Sequence, residues 1–216
     1  MSTIYLARHG QTEWSQGIPR YCGVSDPDLN ATGKVQAQRL AQRLENTHLQ
    51  VIYSSPLKRA LLTAQTVGEH LGLPVEVDEG FREIHYGAWE GLTHAQIYSD
   101  FEDIRTRWDA DPAAEKPPGG ETGIEVAERA LGSLRKILQK ENHERFLIVS
   151  HKTVQRLILC GCLGIDLTDY RRRFSLGNTG LSALQYDAGN FILKLHNDKC
   201  HLAENSASRR KVEESV

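Results

Sequence analysis

Arg8, His9, Arg59, Glu83 and His151 are residue types that can together perform phosphoryl transfer. A neutral imidazole attacks phosphorus and holds the group as a phosphoramidate, dividing one hard displacement into two easier ones. Guanidinium forks match phosphate oxygens in a bidentate way and stay charged over the useful pH range. A protonatable carboxylate gives a proton to the departing alkoxide and, once ionised, draws one from water. With arginines and a second histidine to neutralise the developing charge, such a site requires no metal.

The elements that must position these groups can be read from periodicity. Thr3 to Ala7 is strand-like and breaks into Arg8-His9-Gly10; Phe146 to Ser150 is a buried strand that breaks into His151. Gln50 to Tyr53 reads as a strand ending near Ser54-Ser55-Pro56, with Arg59 opening the next helix, and Val75 to Val77 as a strand shortly before Glu83. Helices are predicted over Ala31 to Leu44 behind the N-cap Asn30, Leu57 to Leu71 before Gly72 and Pro74, Glu121 to Gln139, and Thr153 to Leu163. Leu92 to Trp108 reads as two short helices and Asp109 to Gly120 as a loop; Gly180 to Tyr186 and Phe191 to His196 read as strands joined by a turn. Alternating strands and helices predict an α/β fold, a three-layer α/β/α sandwich with a mostly parallel central sheet. Ligands of such sheets lie beyond the carboxyl ends of the strands, so His9 and His151 are expected to face each other across one pocket.

Length and composition bound the remainder. A chain of 216 residues with 39% hydrophobic content is expected to form one domain over residues 1–196, with 92–120 as a lid insertion and 197–216 as a flexible tail. A formal net charge of -2 gives no sign of a polyanion-binding surface, so no nucleic-acid partner is expected; the expected partner is a small anionic phosphomonoester, on the site chemistry above and the resemblance below. Cys22, Cys160, Cys162 and Cys200 have neither metal-ligand nor disulfide-framework spacing, and His48, His70, His143, His196 and His201 read as ordinary surface or interface residues. No run is apolar enough for a membrane span and the first residues lack a signal-peptide layout, so a cytoplasmic protein without a membrane partner is expected.

Arg8-His9-Gly10 with Thr12 and Trp14, Ser54-Ser55-Pro56 with Arg59, Glu83 before Gly87-Ala88-Trp89-Glu90-Gly91, and Ser150-His151, in that order over roughly residues 3 to 186, resemble the histidine phosphatase superfamily. The resemblance implies a phosphoglycerate mutase-like fold with no metal and no cofactor. It implies His9 as the nucleophile, Arg8 and Arg59 as phosphoryl clamps, His151 as the second histidine and Glu83 as general acid and base. Thr12, Ser15, the Cys22-Gly23 segment and Lys152 are expected substrate contacts, with Asn178-Thr179 supporting the pocket from a loop.

Two positions depart from the common forms: Ser15 stands where many members have asparagine, and Lys152 where many have glycine. The insertion before Gly120-Glu121-Thr122 is shorter than in the mutases of the family, which favours the phosphatase branch that includes alpha-ribazole phosphatases and broad-specificity small phosphatases. The expectation is a metal-independent phosphomonoesterase acting through phosphohistidine. A cofactor-dependent phosphoglycerate mutase and an inactive phosphate-binding regulatory module are the alternatives. Whether Arg171-Arg172-Arg173 faces solvent or the pocket rim, and whether the chain is a monomer or a homodimer, stays open at this level.

Overall fold

A computed structural model describes residues 1–140 and 144–203, and its centre is one sheet ordered β3-β2-β4-β1-β5-β6. The strands are β1 (Ser2–Arg8), β2 (Val51–Ser54), β3 (Val75–Val77), β4 (Arg145–Ser150), β5 (Leu181–Asp187) and β6 (Asn190–Asp198). Successive side chains point to opposite faces, which divides the central strands between two cores. Ile4, Leu6, Tyr53, Phe146 and Ile148 pack with α5 (Gly123–Leu138) and α6 (Lys152–Leu163). Tyr5, Ala7, Ile52, Leu147 and Val149 pack with α1 (Ala31–Arg43) and α2 (Lys58–Leu71) on the other face. The result is the expected three-layer α/β/α sandwich.

The sheet is mixed. β3, β2, β4 and β1 pair in parallel, whereas β5 is antiparallel to β1 and β6 to β5. Ala188 and Gly189, both at positive φ, form the two-residue turn that makes β5 and β6 a hairpin. The four parallel strands therefore send their carboxyl ends to one edge, where the predicted reactive groups lie.

Local chemistry sets the helix ends. The Asn30 side chain accepts from Gly33 N at 2.8 Å at the start of α1, and Gly72, at φ 67, closes α2 in the left-handed region. α5 begins two residues later than the expected Glu121, because Thr122 and Glu125 form a reciprocal capping box. In the segment expected as a lid, α3 (His94–Asp100) and α4 (Glu102–Ala110) close over a small core of Trp89, Ile97 and Trp108.

The tail expected from Asn197 is structured at its start. β6 continues to Asp198 and a short 3-10 turn spans Cys200–Leu202. Arg39 Nη1 donates to Leu202 O at 3.1 Å, Arg43 pairs with Asp198 at 3.2 Å, and His201 Nε2 lies 3.1 Å from Thr179 Oγ1. These bonds tie the segment down through polar groups, a means of anchoring that leaves no hydrophobic period to read. His201, expected to be an ordinary surface or interface residue, is a structural partner of the loop before β5. The remainder of the expected tail, 204–216, and His143 lie outside the described residues. No helix among the described residues is long and apolar enough to cross a membrane.

Candidate active site

β1 and β4 are neighbours in register, with Arg8 opposite Ser150, so His9 and His151 leave the sheet at the same level. Their ring centroids are 5.2 Å apart. Gly10 lets the start of α1 approach closely: a Cβ there would lie 2.5 Å from the backbone oxygen of Gly33. Gly10 N donates to Thr63 Oγ1 at 3.1 Å, Asn178 Nδ2 to His9 O at 3.0 Å and Thr179 N to Arg8 O at 3.0 Å. The His9 backbone is therefore held from α2 and from the loop preceding β5.

His9 Nδ1 lies 2.7 Å from Gly10 O. A carbonyl only accepts, so the ring proton is on Nδ1 and the lone pair on Nε2. Burial, then the charges of Arg59 and Arg8, hold the His9 pKa well below the usual histidine range. His151 is fully buried and shifted the same way, chiefly by burial. Its Nε2 is 2.7 Å from Ser55 Oγ, and its Nδ1 has no partner among the described residues. Both imidazoles are neutral near pH 7.

Glu83 is also buried, against the N-terminus of α6. Oε1 accepts from Ile84 N at 3.0 Å and Val154 N at 3.3 Å, and Oε2 from Thr153 N at 3.2 Å. Those bonds favour the carboxylate, yet burial dominates and raises the pKa above the ordinary glutamate range. Arg8, brought down to about 10 mainly by burial, donates Nη1 to Leu176 O at 3.0 Å. Arg59 donates Nη2 to Gly23 O at 2.7 Å and Nη1 to Ser25 O at 2.8 Å, and each of these nitrogens keeps a second hydrogen.

A cleft of about 710 Å³ opens above these groups. Arg8, His9, Thr12, Ser15, Cys22, Glu83 and Lys152 line it, and so does Asn178. His151 and Arg59 sit behind this surface, and Gly23 lies off it with its N–H donated to Glu90 Oε2 at 3.1 Å. The Ser15 hydroxyl donates to Thr12 O at 2.9 Å and accepts from Thr12 N at 3.0 Å, which shapes the loop after His9. In the arginine run, Arg171 reaches the cleft, Arg172 is exposed and Arg173 pairs with Asp169. Cys22, with its thiol pushed up to about 11 by burial, is not primed for thiolate chemistry.

The profile of the histidine phosphatase superfamily (branch 1) matches residues 4–199. The chain belongs to this superfamily. It is 37% identical to phosphoserine phosphatase 1 of Hydrogenobacter thermophilus over 205 residues, 94% of this chain and 96% of the relative. A mycobacterial glucosyl-3-phosphoglycerate phosphatase solved with VO3 superimposes with a TM-score of 0.85 at 30% identity, over 92% of this chain and all of that one. Bacillus stearothermophilus YhfR superimposes with a TM-score of 0.87 at 32% identity, over 94% of this chain and all of that one. The class of activity that accompanies membership is metal-independent phosphomonoester hydrolysis.

In this member of the superfamily, Glu90 has a function that sequence spacing did not disclose. Its carboxylate accepts from the backbone N–H groups of Gly23, Val24, Ser25 and Tyr86, joining the loop after Tyr21 to the loop that carries Glu83. The same loop supplies the carbonyls that hold Arg59, so Glu90 acts on the site at one remove. Its pKa is lowered because these hydrogen bonds outweigh partial burial. Glu90→Ala leaves these donors unpaired and is expected to cost about 2–3 kcal/mol of unfolding free energy, as net loss of several charge-assisted bonds at a half-buried position. Urea unfolding would measure it, and a loss under about 0.5 kcal/mol would contradict the clasp.

Arg156 and Tyr86 also line the cleft without having been singled out. Arg156 falls four residues after Lys152 on α6, a spacing that places both on one helix face.

Proposed function

We propose that this protein hydrolyses a small phosphomonoester through a phosphohistidine on His9. The observation that carries the reading is the bond from His9 Nδ1 to Gly10 O, which directs the Nε2 lone pair of a neutral, buried imidazole outward, with a second neutral imidazole beside it. Arg8 and Arg59 take the phosphoryl oxygens with the hydrogens left free by their backbone bonds. Ser55 Oγ lies 2.7 Å from His151 Nε2 and accepts from Leu57 N at 3.3 Å, and on this reading its hydroxyl donates to Nε2. In that tautomer the His151 proton is on Nδ1, buried and without an acceptor among the described residues, and is available to the transferring group. Glu83, kept protonated beyond the ordinary carboxyl range, gives its proton to the leaving alkoxide. Once ionised, and steadied by the α6 amides, it accepts a proton from the water that releases phosphate. The relatives described above, phosphatases of phosphoserine and of glucosyl-3-phosphoglycerate, support a phosphomonoester as substrate.

The test is an EDTA-treated assay against a panel of phosphomonoesters, with 4-nitrophenyl phosphate and with 3-phosphoglycerate in the presence and absence of 2,3-bisphosphoglycerate. Release of free phosphate is expected. Predominant isomerisation of phosphoglycerate would establish a mutase instead, and phosphate binding without product would establish a non-catalytic module.

A further inference from the structure

The cleft carries more positive charge than one phosphoryl group occupies. Arg8, Arg20, Lys152, Arg156 and Arg171 line it, and Glu83 is the one carboxylate among the lining residues. Arg8 lies beside His9 with Arg59 behind, which accounts for the phosphate. The other cations need a separate reason, and α6 makes the need plain. Lys152 and Arg156 stand at i and i+4 on α6, where like charges repel by about 0.2–0.5 kcal/mol, and Lys152, in the first turn, also meets the positive end of the helix dipole. Both placements are unfavourable in the free protein. Among the described residues neither has a carboxylate within ion-pair distance; Arg156 donates Nε to Phe174 O at 2.8 Å.

Arg171, on α7 (Tyr170–Arg173), completes the group from the other side. Its guanidinium stacks 4.1 Å from the Trp108 ring and pairs with Asp109 at 2.5 Å. Asp109 is itself gripped by the buried Arg105 through bonds of 2.8 and 2.9 Å. Arg171 is thus pre-set at the rim by α4, at little cost in side-chain freedom when a ligand arrives. The cations also act on one another: Lys152 is brought down to about 8 by desolvation, then by the charges of Arg156 and Arg8, and Arg171 contributes to the lowering. A bound anion would relieve that repulsion.

We propose that Lys152, Arg156 and Arg171 form a second anion subsite, so that the preferred substrate is a phosphomonoester whose alcohol portion carries a further carboxylate or phosphate. The inference rests on the hydrolase reading above.

The full-length protein is assayed on matched pairs: O-phosphoserine against O-phosphoethanolamine and 3-phosphoglycerate against glycerol 3-phosphate for the carboxylate, fructose 1,6-bisphosphate against fructose 6-phosphate for the phosphate. In at least one pair the more anionic member should be favoured tenfold or more in kcat/KM, as charge-assisted bonds to a tail imply. In Lys152→Gln and in Arg171→Gln that ratio should fall toward one. A wild-type ratio near one in every pair would overturn the subsite, as would a ratio unchanged in both variants. An equal loss for both members of a pair would also overturn it, because the cations would then only steer the phosphate. A protein that turns over neither member of any pair nor 4-nitrophenyl phosphate would overturn the hydrolase reading itself, a result distinct from these.

Discussion

His9→Ala is expected to lower kcat by about 10⁴-fold or more, the scale seen when a covalent nucleophile is removed from a site whose parts act as a unit. The loss should come without unfolding, because among the described residues the imidazole bonds to Gly10 O alone while the backbone of residues 8–10 is held by Thr63, Asn178 and Thr179. A thermal melt close to wild type would confirm that. The decisive measurement is rapid quenching with a ³²P-labelled phosphomonoester: wild type should carry acid-labile, base-stable label on His9, and the variant none. Full activity in His9→Ala would reject phosphohistidine chemistry. Since His9 is neutral well below the usual histidine range, its protonation should not limit activity near pH 6, where an ordinary histidine would be largely charged.

Glu83→Gln is expected to lower kcat by about 10²–10³-fold for substrates with alkyl alcohols as leaving groups. With 4-nitrophenyl phosphate, whose leaving group needs little help from a proton, the loss should stay within about tenfold while dephosphorylation is not limiting. The pH dependence has a definite sign. The folded-state pKa of Glu83 is raised, so its acid form persists above the ordinary carboxyl range and is lost as pH rises through the folded value. Wild-type kcat for an alkyl substrate should therefore decline on the alkaline side, and Glu83→Gln should lack that limb. Equal losses for good and poor leaving groups would reject proton donation by Glu83.

The layered fold and the gathering of Arg8, His9 and His151 at one sheet edge were legible because each rests on local patterns. Apolar runs ending in Arg8-His9-Gly10 and in Ser150-His151 announce strand ends, and parallel pairing then brings those ends together. What stayed hidden depends on side chains meeting across long separations. Glu90 looks like one more acidic residue until its carboxylate is seen to gather amides from residues 23–25 and 86. Arg171 looks like part of a solvated charge run until Asp109 and Trp108 turn it toward the cleft. Gly23 and Ser15, expected as substrate contacts, have their polar groups engaged in shaping loops. Residues 197–203 read as loose because bonds to Arg39, Arg43 and Thr179 anchor them, and such bonds leave no periodic pattern.

The position of β1 has a consequence for how the molecule comes into being. The strand that leads into His9 is synthesised before both of its partners, residues 145–150 on one side and 181–187 on the other. During translation β1 must wait, with its apolar residues unpaired, until most of the chain has left the ribosome. Such long loop closures slow folding and keep strand edges exposed. Nascent chains halted before β4 should then be readily cleaved by protease and unable to take label at His9, with both properties changing only after β5 has emerged.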